Sequence, residues 1–248
     1  MGTKAIDPQS IRNVTMFGDP DETARLAQRL RRCFGDAEHT VHWSTDSIEH
    51  TIRIAELSAD APITDVERAI RVADGVIAVV SAAVHSTPRL ETMLRVADDH
   101  QVARLCVIGG LDQHTADFDR CIRTIADTRG AAPLALQIPM GIGAGFDDVI
   151  DLVSPTALGP EAVGPDREPA ERRRRALVET LTEQDPANSL TLRDLHSRIR
   201  RRTRNGDLVP ILCAAPLATD DIAPLLDAIV RYLPSPLYVS QPEHALDY

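Results

Sequence analysis

The stretch Ile11–Leu30, IRNVTMFGDPDETARLAQRL, decides how the rest of the chain is interpreted. Its first part has an apolar run around Val14, which predicts a short buried strand. Gly18 and an acidic turn follow, and Leu26 and Leu30 then begin a pattern with helical spacing. The stretch therefore predicts a strand, a turn and a helix. In nucleotide-binding α/β domains such a junction holds phosphate groups, because glycines let backbone N–H groups converge and the helix N-terminus carries partial positive charge.

This turn lacks the groups that bind phosphate. A phosphate loop reads GxxxxGK[ST], in which the lysine supplies charge and the hydroxyl residue binds magnesium. Thr23, Ala24 and Arg25 stand in the last three places of that pattern. The turn is also acidic, and one unpaired carboxylate about 4 Å from a phosphate charge opposes binding by roughly 4 kcal/mol at an effective dielectric of about 20. The degenerate part of the pocket comprises Gly18, Asp19, Asp21, Glu22, Thr23, Ala24 and Arg25.

A simpler interpretation of the acidic turn needs no ligand. Asp19 and Asp21 would cap the following helix, because carboxylates are favoured before and within a first helical turn. Both interpretations predict that no phosphate binds there.

Composition is that of an ordinary globular protein. The chain has 248 residues, of which 43% are hydrophobic and 26% charged, and a formal net charge of -10. That charge disfavours broad contact with nucleic acid unless basic residues are gathered on one face. Lys4 is the only lysine, which excludes lysine-dependent catalysis after the first strand. The four cysteines have no CxxC spacing and no apolar run has the length of a membrane span, so we predict a cytoplasmic protein without membrane contact.

Apolar strands alternate with amphipathic helices along most of the chain. This repetition predicts an α/β fold with a doubly wound, mostly parallel sheet. An antiparallel pair is expected at one edge. The predicted strands after the first are Thr40–Ser44, Thr51–Ile54, Gly75–Val80, Arg104–Ile108, Leu134–Ile138 and Leu208–Cys213, and the predicted helices include Ile63–Val72, Arg89–His100 and Asp117–Thr128.

The pattern changes between residues 141 and 205, where prolines, glycines and two arginine-rich helical segments replace the strands. We therefore predict a small inserted subdomain that lies outside the main sheet. The resulting division is a tail at 1–10, a main domain formed by 11–140 and 206–236, the insertion at 141–205, and a tail at 237–248.

Three segments carry a family resemblance: Val66–Gly141, the VIDLV at residues 149–153, and Val209–Pro236. They resemble the G domain of bacterial elongation factor G and its ribosomal-protection relatives, in both order and spacing. The resemblance implies a P-loop GTPase type of fold with an inserted subdomain, and it covers the G domain only.

The nucleotide motifs of that family are altered here. Its DTPGH corresponds to residues 55–60, which contain neither glycine nor histidine. Its guanine-reading NKxD becomes Gly109-Gly110-Leu111-Asp112, its SA element becomes Ala215-Pro216, and its first switch segment is shortened between Phe34 and Thr40. The resemblance therefore adds Gly109, Gly110, Asp112 and Ala215 to the degenerate pocket. It implies a pseudo-GTPase that binds neither GTP nor magnesium and acts as a binding or regulatory protein.

Two alternatives stay open. In the first, the protein is an enzyme that uses the former nucleotide crevice for a small molecule, for example in a biosynthetic pathway. Asp19, Asp21, Asp112 or His114 would then act as acid or base. A weaker alternative is residual GTP binding through Arg25 and Asp112.

Two arginine runs are the strongest charge signal. They form either a solvated helical face or a surface for an acidic partner. We expect a protein or small-molecule partner, with contact to RNA or the ribosome as a further option; the candidate partner-binding residues are Arg172, Arg173, Arg174, Arg175, Arg200, Arg201, Arg202 and Arg204. His39, His42 and His50 lack a recognised ligand spacing, so no metal or other cofactor is predicted.

Overall fold

The computed structural model describes residues 7–34, 40–58, 60–84, 87–127, 131–154, 167–182, 190–216, 219 and 221–239. Its strands are β1 (Ile11–Gly18), β2 (Thr40–Thr45), β3 (Ile48–Glu56), β4 (Gly75–Ser81), β5 (Arg104–Gly109), β6 (Ala132–Ala135), β7 (Gln137–Met140), β8 (Asp148–Asp151) and β9 (Leu208–Cys213). Its α-helices are α1 (Pro20–Phe34), α2 (Ile63–Val72), α3 (Pro88–Asp99), α4 (Phe118–Asp127), α5 (Arg167–Thr182), α6 (Leu192–Arg204) and α7 (Ala223–Tyr232). Short 3-10 turns lie at Pro8–Ser10, Gly143–Gly145 and Pro236–Tyr238.

The main sheet has seven strands in the order β2-β3-β1-β4-β5-β9-β6. Neighbouring strands are parallel except for β2 and β3, which are antiparallel. The chain reaches β3 on one side of β1 and β4 on the other, so the strand order reverses at β1. The predicted α/β fold with a doubly wound, mostly parallel sheet is confirmed.

The three central strands β4, β5 and β9 are buried along their whole length. Their sequences GVIAVVS, RLCVIG and LVPILC are nearly continuous apolar runs, which is the pattern of a strand covered on both faces. Helix α1 contacts β1 and β4, α4 contacts β6, and α6 contacts β9. The core therefore lies between the central strands and the helices that flank them.

The predicted antiparallel edge is also present. Strands β2 and β3 are joined by Asp46 and Ser47, both with positive φ (51° and 65°). Two central residues with positive φ are typical of the tight hairpin turn whose twist matches the strands. Strand β3 is longer than predicted because its pairing with β1 extends to Glu56.

The predicted single strand Leu134–Ile138 is wrong. The chain leaves the main sheet at Leu136, after β6, and β7 then pairs with β8 in a separate two-stranded antiparallel sheet. This departure is possible because β6 is the last strand of the main sheet, so no further neighbour holds the chain in place. The small sheet has one strand on each side of the predicted boundary between residues 140 and 141.

The arginine-rich helix α6 packs against the main domain. Thr191 begins the helix with a capping box, in which its side chain accepts from the Asp194 N–H and the Asp194 carboxylate accepts from the Thr191 N–H. Leu195 and Ile199 are buried where α6 contacts α7 and β9. The inserted helices therefore form part of the wall around the sheet. Across the described ranges, no helix combines the length and apolar character needed to span a membrane.

Candidate functional site

The site begins where the topology places a ligand crevice. In open α/β sheets such a crevice lies beyond the carboxyl ends of the strands, at the point where the strand order reverses. Here that point is the end of β1 beside β4, where Gly18 pairs with Val79. The loops after β5 and β9 reach the same edge of the sheet. The predicted pocket residues at 18–25, 109–112 and 215 are therefore brought to one region.

Gly18 is required by the packing of β1 against β4. Its φ is +148°, and a Cβ placed on it would lie 2.0 Å from the carbonyl oxygen of Val79. The next N–H, from Asp19, donates to that same oxygen at 2.9 Å. The close approach that glycine permits is thus used for contact between two strands rather than for a ligand.

The expected turn at residues 18–25 is much shorter than the sequence predicts. Asp19 alone separates β1 from α1, which begins at Pro20. The Asp19 carboxylate accepts from the Glu22 N–H at 3.1 Å, and its carbonyl accepts from the Thr23 N–H at 2.9 Å. Proline is favoured at a first helical position, and aspartate just before it caps the helix. The capping interpretation therefore holds for Asp19, while Asp21 is exposed in the first turn.

Glu22 fills the crevice with a buried carboxylate that is 6% exposed. A Cβ placed on Gly109 would lie 2.4 Å from Oε2 of Glu22, so the bare backbone at position 109 is what admits this side chain. The Gly110 backbone hydrogen-bonds to the carboxylate. Nη1 of Arg25 lies 3.3 Å from Oε1. Glu22 is thus held from both α1 and the end of β5.

The charge around Glu22 is negative. Burial raises the pKa of Glu22 above its ordinary value, and the carboxylates of Asp19 and Asp112 raise this pKa as well. Arg25 and the hydrogen bond from the Gly110 backbone act in the opposite direction. A bound phosphate would add negative charge to a place where a single carboxylate is already disfavoured.

Little space remains in this crevice. The cavity between α1, residues 110–112 and residues 214–216 measures about 30 Å³. That volume has room for about two water molecules, whereas ligand pockets measure roughly 300–1,000 Å³. Asp112, the last residue of the former guanine-reading motif, is exposed at its rim.

Comparison with known proteins identifies the family. A family described as "Elongation factor Tu GTP binding domain" matches residues 63–235, which is more than half of the chain. The chain belongs to this family. The matched part begins at α2, so β1, α1 and the junction between them lie outside it. The narrower resemblance to elongation factor G stays a prediction.

A solved structure shares the fold of this G domain. It is the crystal structure of a protein from Thermus thermophilus, with a TM-score of 0.73 and 20% sequence identity. The match covers 92% of this chain and 41% of that one, so this chain spans less than half the length of the protein it matches.

The residues at the junction do not fit GTP and magnesium. Helix α1 starts at Pro20, which has no N–H to donate, and one residue separates it from β1. An arch of backbone N–H groups around a phosphate is therefore not formed. The Thr23 hydroxyl is buried without a hydrogen-bond partner among the described residues, and the Arg25 guanidinium is engaged by Glu22.

The four proposed acid–base residues differ in exposure and in contacts. Asp21, Asp112 and His114 are exposed, and Asp19 is occupied in capping α1. Asp112 acts on Glu22 only through its charge. Asp19 and Asp112 both act on Glu22 through their charge, and the acid–base role of the four residues stays a prediction.

Two of the four candidate arginines of α5, Arg173 and Arg174, are held within the molecule. Arg173 forms an ion pair with Asp119 and lies over the Phe118 ring, 5.5 Å from its centroid. Arg174 donates to three successive carbonyls at residues 152–154, at 3.1, 3.5 and 2.7 Å. These two side chains fasten α5 to the main domain. Arg172 is exposed and pairs with an exposed glutamate of its own helix at 3.2 Å, and Arg175 is exposed.

The arginines of α6 divide in the same way. Arg202 donates to the Thr180 carbonyl at 2.7 Å and so joins α6 to α5. Arg201 is exposed, whereas Arg200 and Arg204 are half-buried and turn toward the opposite end of the sheet from the crevice. The predicted surface of eight arginines is therefore not one continuous patch.

The histidines do not form a metal site within the described ranges. No group of three or more His, Cys, Asp or Glu side chains there has metal-binding geometry. His42 is exposed on β2, whereas His50 is buried on β3, and His39 lies outside the described residues. The expectation that the protein binds no metal stays a prediction.

Sequence reasoning missed a second cavity beside the crevice. A cleft of about 390 Å³ lies between α1 and α7 and is lined in part by Gln137, His196 and Tyr232. The ring nitrogen Nδ1 of His196 lies 2.7 Å from the Tyr232 hydroxyl. Burial lowers the pKa of His196 and raises the pKa of Tyr232. No local signal marks this pair, because the two residues lie on different helices, α6 and α7, and the strand β9 separates those helices in sequence.

Sequence reasoning also missed Arg12. It is 1% exposed although it carries a charge, and it lies within the strand that opens the chain. A signal was present, since a charged residue and a polar one, Arg12 and Asn13, stand between the apolar residues Ile11 and Val14. A buried charge needs partners, so this residue marks a second place to look for a site.

Proposed function

We propose that this G domain is a pseudo-GTPase, which neither binds nor hydrolyses GTP and acts as a binding or regulatory protein through its surfaces. The observation that carries the proposal is the buried Glu22 carboxylate in a crevice of about 30 Å³. A G domain that used GTP would keep that space for phosphate and magnesium.

The start of α1 supports the same proposal independently. A phosphate loop needs several residues between strand and helix so that successive N–H groups face the ligand. This chain has one, Asp19, and its carboxylate already caps the helix. Restoring a phosphate site would therefore require rebuilding the backbone, beyond exchanging side chains.

The alternatives are less well supported. Residual GTP binding through Arg25 and Asp112 would require Arg25 to leave Glu22, and Asp112 is one of the charges that already disfavour an anion there. An enzyme using the crevice itself would have little space for a substrate. Small-molecule binding is favoured at the adjoining cleft of about 390 Å³, where His196 and Tyr232 form a polar pair. Thermal shift of the native chain and of Tyr232→Phe across a metabolite panel tests this second candidate.

The main test is calorimetric titration of the full chain with GTP, GDP and ATP in the presence of magnesium. We expect no guanine-specific binding tighter than about 1 mM and no release of phosphate from GTP. Micromolar affinity for GTP or GDP that is not shared by ATP, or GTP turnover, would overturn the proposal. ATP is included because a site that recognises phosphate alone would bind both nucleotides equally.

A matched pair of variants tests the role assigned to Glu22. Glu22→Ala and Asp21→Ala each remove one carboxylate from the first turns of α1, but only Glu22 is buried. We expect neither variant to gain guanine-specific binding, because the backbone arch is missing as well. A gain in Glu22→Ala alone would mean that this single side chain is what blocks the nucleotide.

A further inference from the structure

A second pocket lies at the opposite end of the sheet from the crevice. It measures about 480 Å³ and is enclosed by the start of β1, the β2–β3 hairpin, the end of α6 and the turn at Pro236–Tyr238. Four arginines and one histidine line it, namely Arg12, Arg200, Arg204, Arg231 and His50. This concentration of positive groups is unexpected in a chain whose net charge is -10.

Arg12 forms the floor of this basic pocket. Its Nη1 donates to the carbonyls of Gln9 and Ile11 at 2.7 Å each, and its Nη2 donates to the Val230 carbonyl at 3.0 Å. Its Nε is buried and has no hydrogen-bond partner among the described residues. Burial, together with the charge of Arg200, lowers the pKa of Arg12 to about 10. A guanidinium is thus held rigidly by three carbonyls, with one buried donor unused.

Three other groups in the pocket have unused polar atoms. Nδ1 of His50, Nε of Arg204 and Oγ of Ser235 are buried without a hydrogen-bond partner in the described part of the chain. His50 and Ser235 are 7% and 1% exposed. Buried polar atoms are rarely left unpaired in folded proteins, so four in one pocket indicate a missing partner.

The carboxylates near the pocket do not supply that partner. The Arg231 guanidinium forms ion pairs with the carboxylates of Asp227 and Asp46, at 3.3 and 3.9 Å. The Asp7 carboxylate accepts from the Gln9 N–H at 2.9 Å. No described carboxylate forms an ion pair with Arg200, and burial and the charge of Arg204 lower the pKa of Arg200. The Asp74 carboxylate raises the pKa of Arg12 through its charge, whereas like charge from Arg200 lowers the pKa of Arg12 and like charge from Arg204 lowers that of Arg200.

We propose that this basic pocket binds a small phosphate-bearing anion, held by Arg12, Arg200 and Arg204 with help from His50 and Ser235. Guanidinium groups match the geometry of phosphate oxygens and form strong charge-assisted hydrogen bonds with them. The volume of about 480 Å³ lies in the range of small-molecule sites. The site is separate from the crevice and does not depend on the absence of GTP binding.

A structural explanation covers only part of the observation. Arginines in a last helical turn complement the helix dipole, and this accounts for Arg201, Arg202 and Arg204 at the end of α6. It does not account for Arg12, which lies on a strand and is almost completely buried. It also does not account for unpaired atoms on His50 and Ser235.

The test is calorimetric titration of the full chain with inorganic phosphate and pyrophosphate, at constant ionic strength set with chloride. We expect pyrophosphate to bind with a Kd below about 1 mM. The double variant Arg200→Gln/Arg204→Gln should weaken this binding at least tenfold. Arg201→Gln removes the same charge from the exposed side of the same helix and should leave the affinity unchanged.

The melting temperatures of single variants show whether Arg200 has a structural role. Without an anion, Arg200→Gln removes a repelled charge and should raise the melting temperature at low salt by about 1–2 °C. Arg201→Gln should not raise it. A purely structural Arg200 would instead lower the melting temperature when replaced.

Three results would overturn the proposal. These are no pyrophosphate binding by the native chain up to about 10 mM, equal weakening by Arg200→Gln/Arg204→Gln and Arg201→Gln, and binding of a short RNA duplex without binding of pyrophosphate, which would assign the pocket to a nucleic acid backbone. Binding of GTP and ATP with equal affinity that is lost in the double variant would support this pocket and leave the pseudo-GTPase proposal intact.

Discussion

Each end of the sheet contains a buried charged side chain, and the two charges differ in the size of the cavity beside them. At the carboxyl ends of the parallel strands, a buried glutamate leaves a cavity of about 30 Å³, whereas at the amino ends a buried arginine faces a cavity of about 480 Å³. The Glu22 carboxylate contacts Arg25 and the Gly110 backbone, while burial raises its pKa. Arg12 keeps one buried donor without a partner among the described residues.

This difference shows where a ligand is expected. A buried charged side chain that fills its cavity leaves no space for a ligand. A buried charged side chain with an unpaired donor beside a large cavity leaves both space and a binding group. In this G domain the crevice that contains Glu22 is filled, and the basic pocket that contains Arg12 is open. Three substitutions test that contrast.

The largest effect is expected for Gly18→Ala. A Cβ at this position would lie 2.0 Å from the Val79 carbonyl oxygen, so β1 and β4 would have to separate. We expect a loss of about 4 kcal/mol or more in the free energy of unfolding, measured with urea. Gly206→Ala is the control, because Gly206 also has positive φ (+78°) but no atom within 4 Å of the added Cβ, and it should cost about 1 kcal/mol. Equal losses in the two variants would show that Gly18 is kept for another reason than strand packing.

Arg12→Met should have the next largest effect. The substitution leaves the Val230 carbonyl without its donor in a buried place, and we expect a loss of about 2 kcal/mol in urea unfolding. Arg53→Met serves as the matched control, since Arg53 pairs with Asn13 on the neighbouring strand and is exposed, so its change should stay within about 0.5 kcal/mol. If the two variants behaved alike, Arg12 would not be what holds the floor of the basic pocket.

The smallest effect is expected for Glu22→Gln, and it depends on pH. Because burial raises the pKa of Glu22, the folded protein binds more protons than the unfolded chain between the ordinary pKa and the raised one. Stability from this group is therefore present below the ordinary pKa and is lost as pH rises through the folded pKa. The variant should lack that loss and be more stable at neutral pH by on the order of 0.5 kcal/mol, since losing the ion pair with half-exposed Arg25 offsets part of the gain.

Melting temperatures measured between about pH 4 and pH 8 test this last prediction. Asp21→Asn is the control, because Asp21 is an exposed carboxylate in the same turn of α1. A native chain whose melting temperature followed pH no differently from that of Glu22→Gln would show that the crevice tolerates a charged glutamate at no cost.

Local patterns were sufficient for most of the fold. Helix Ile63–Val72 and strand Leu208–Cys213 have the limits that their apolar spacing predicts. The pattern failed at Leu134–Ile138, where a continuous apolar run serves two different sheets. Apolar spacing reports that a segment is buried, but it does not report which neighbour the segment pairs with.

The candidate site was predictable in composition and not in shape. The missing phosphate-binding groups could be counted from residues 18–25, and the caps around Asp19 were among the interpretations that local chemistry allows. The filling of the crevice could not be predicted from the sequence. Glu22 is buried because Gly109, on a strand distant in sequence, has no side chain and leaves room for it.

The amino-acid sequence by itself determined the alternation of strands and helices and the family to which the chain belongs, since these depend on residue type and short-range spacing. Only the tertiary structure decided which groups contact the buried charges and how much space lies beside them. Glu22 and Arg12 lie in the same short stretch, and each has a partner outside it: the Gly110 backbone after β5 for Glu22, and the Val230 carbonyl of α7 for Arg12. Only the folded chain brings these elements together, and it leaves a small cavity at one end of the sheet and a large one at the other.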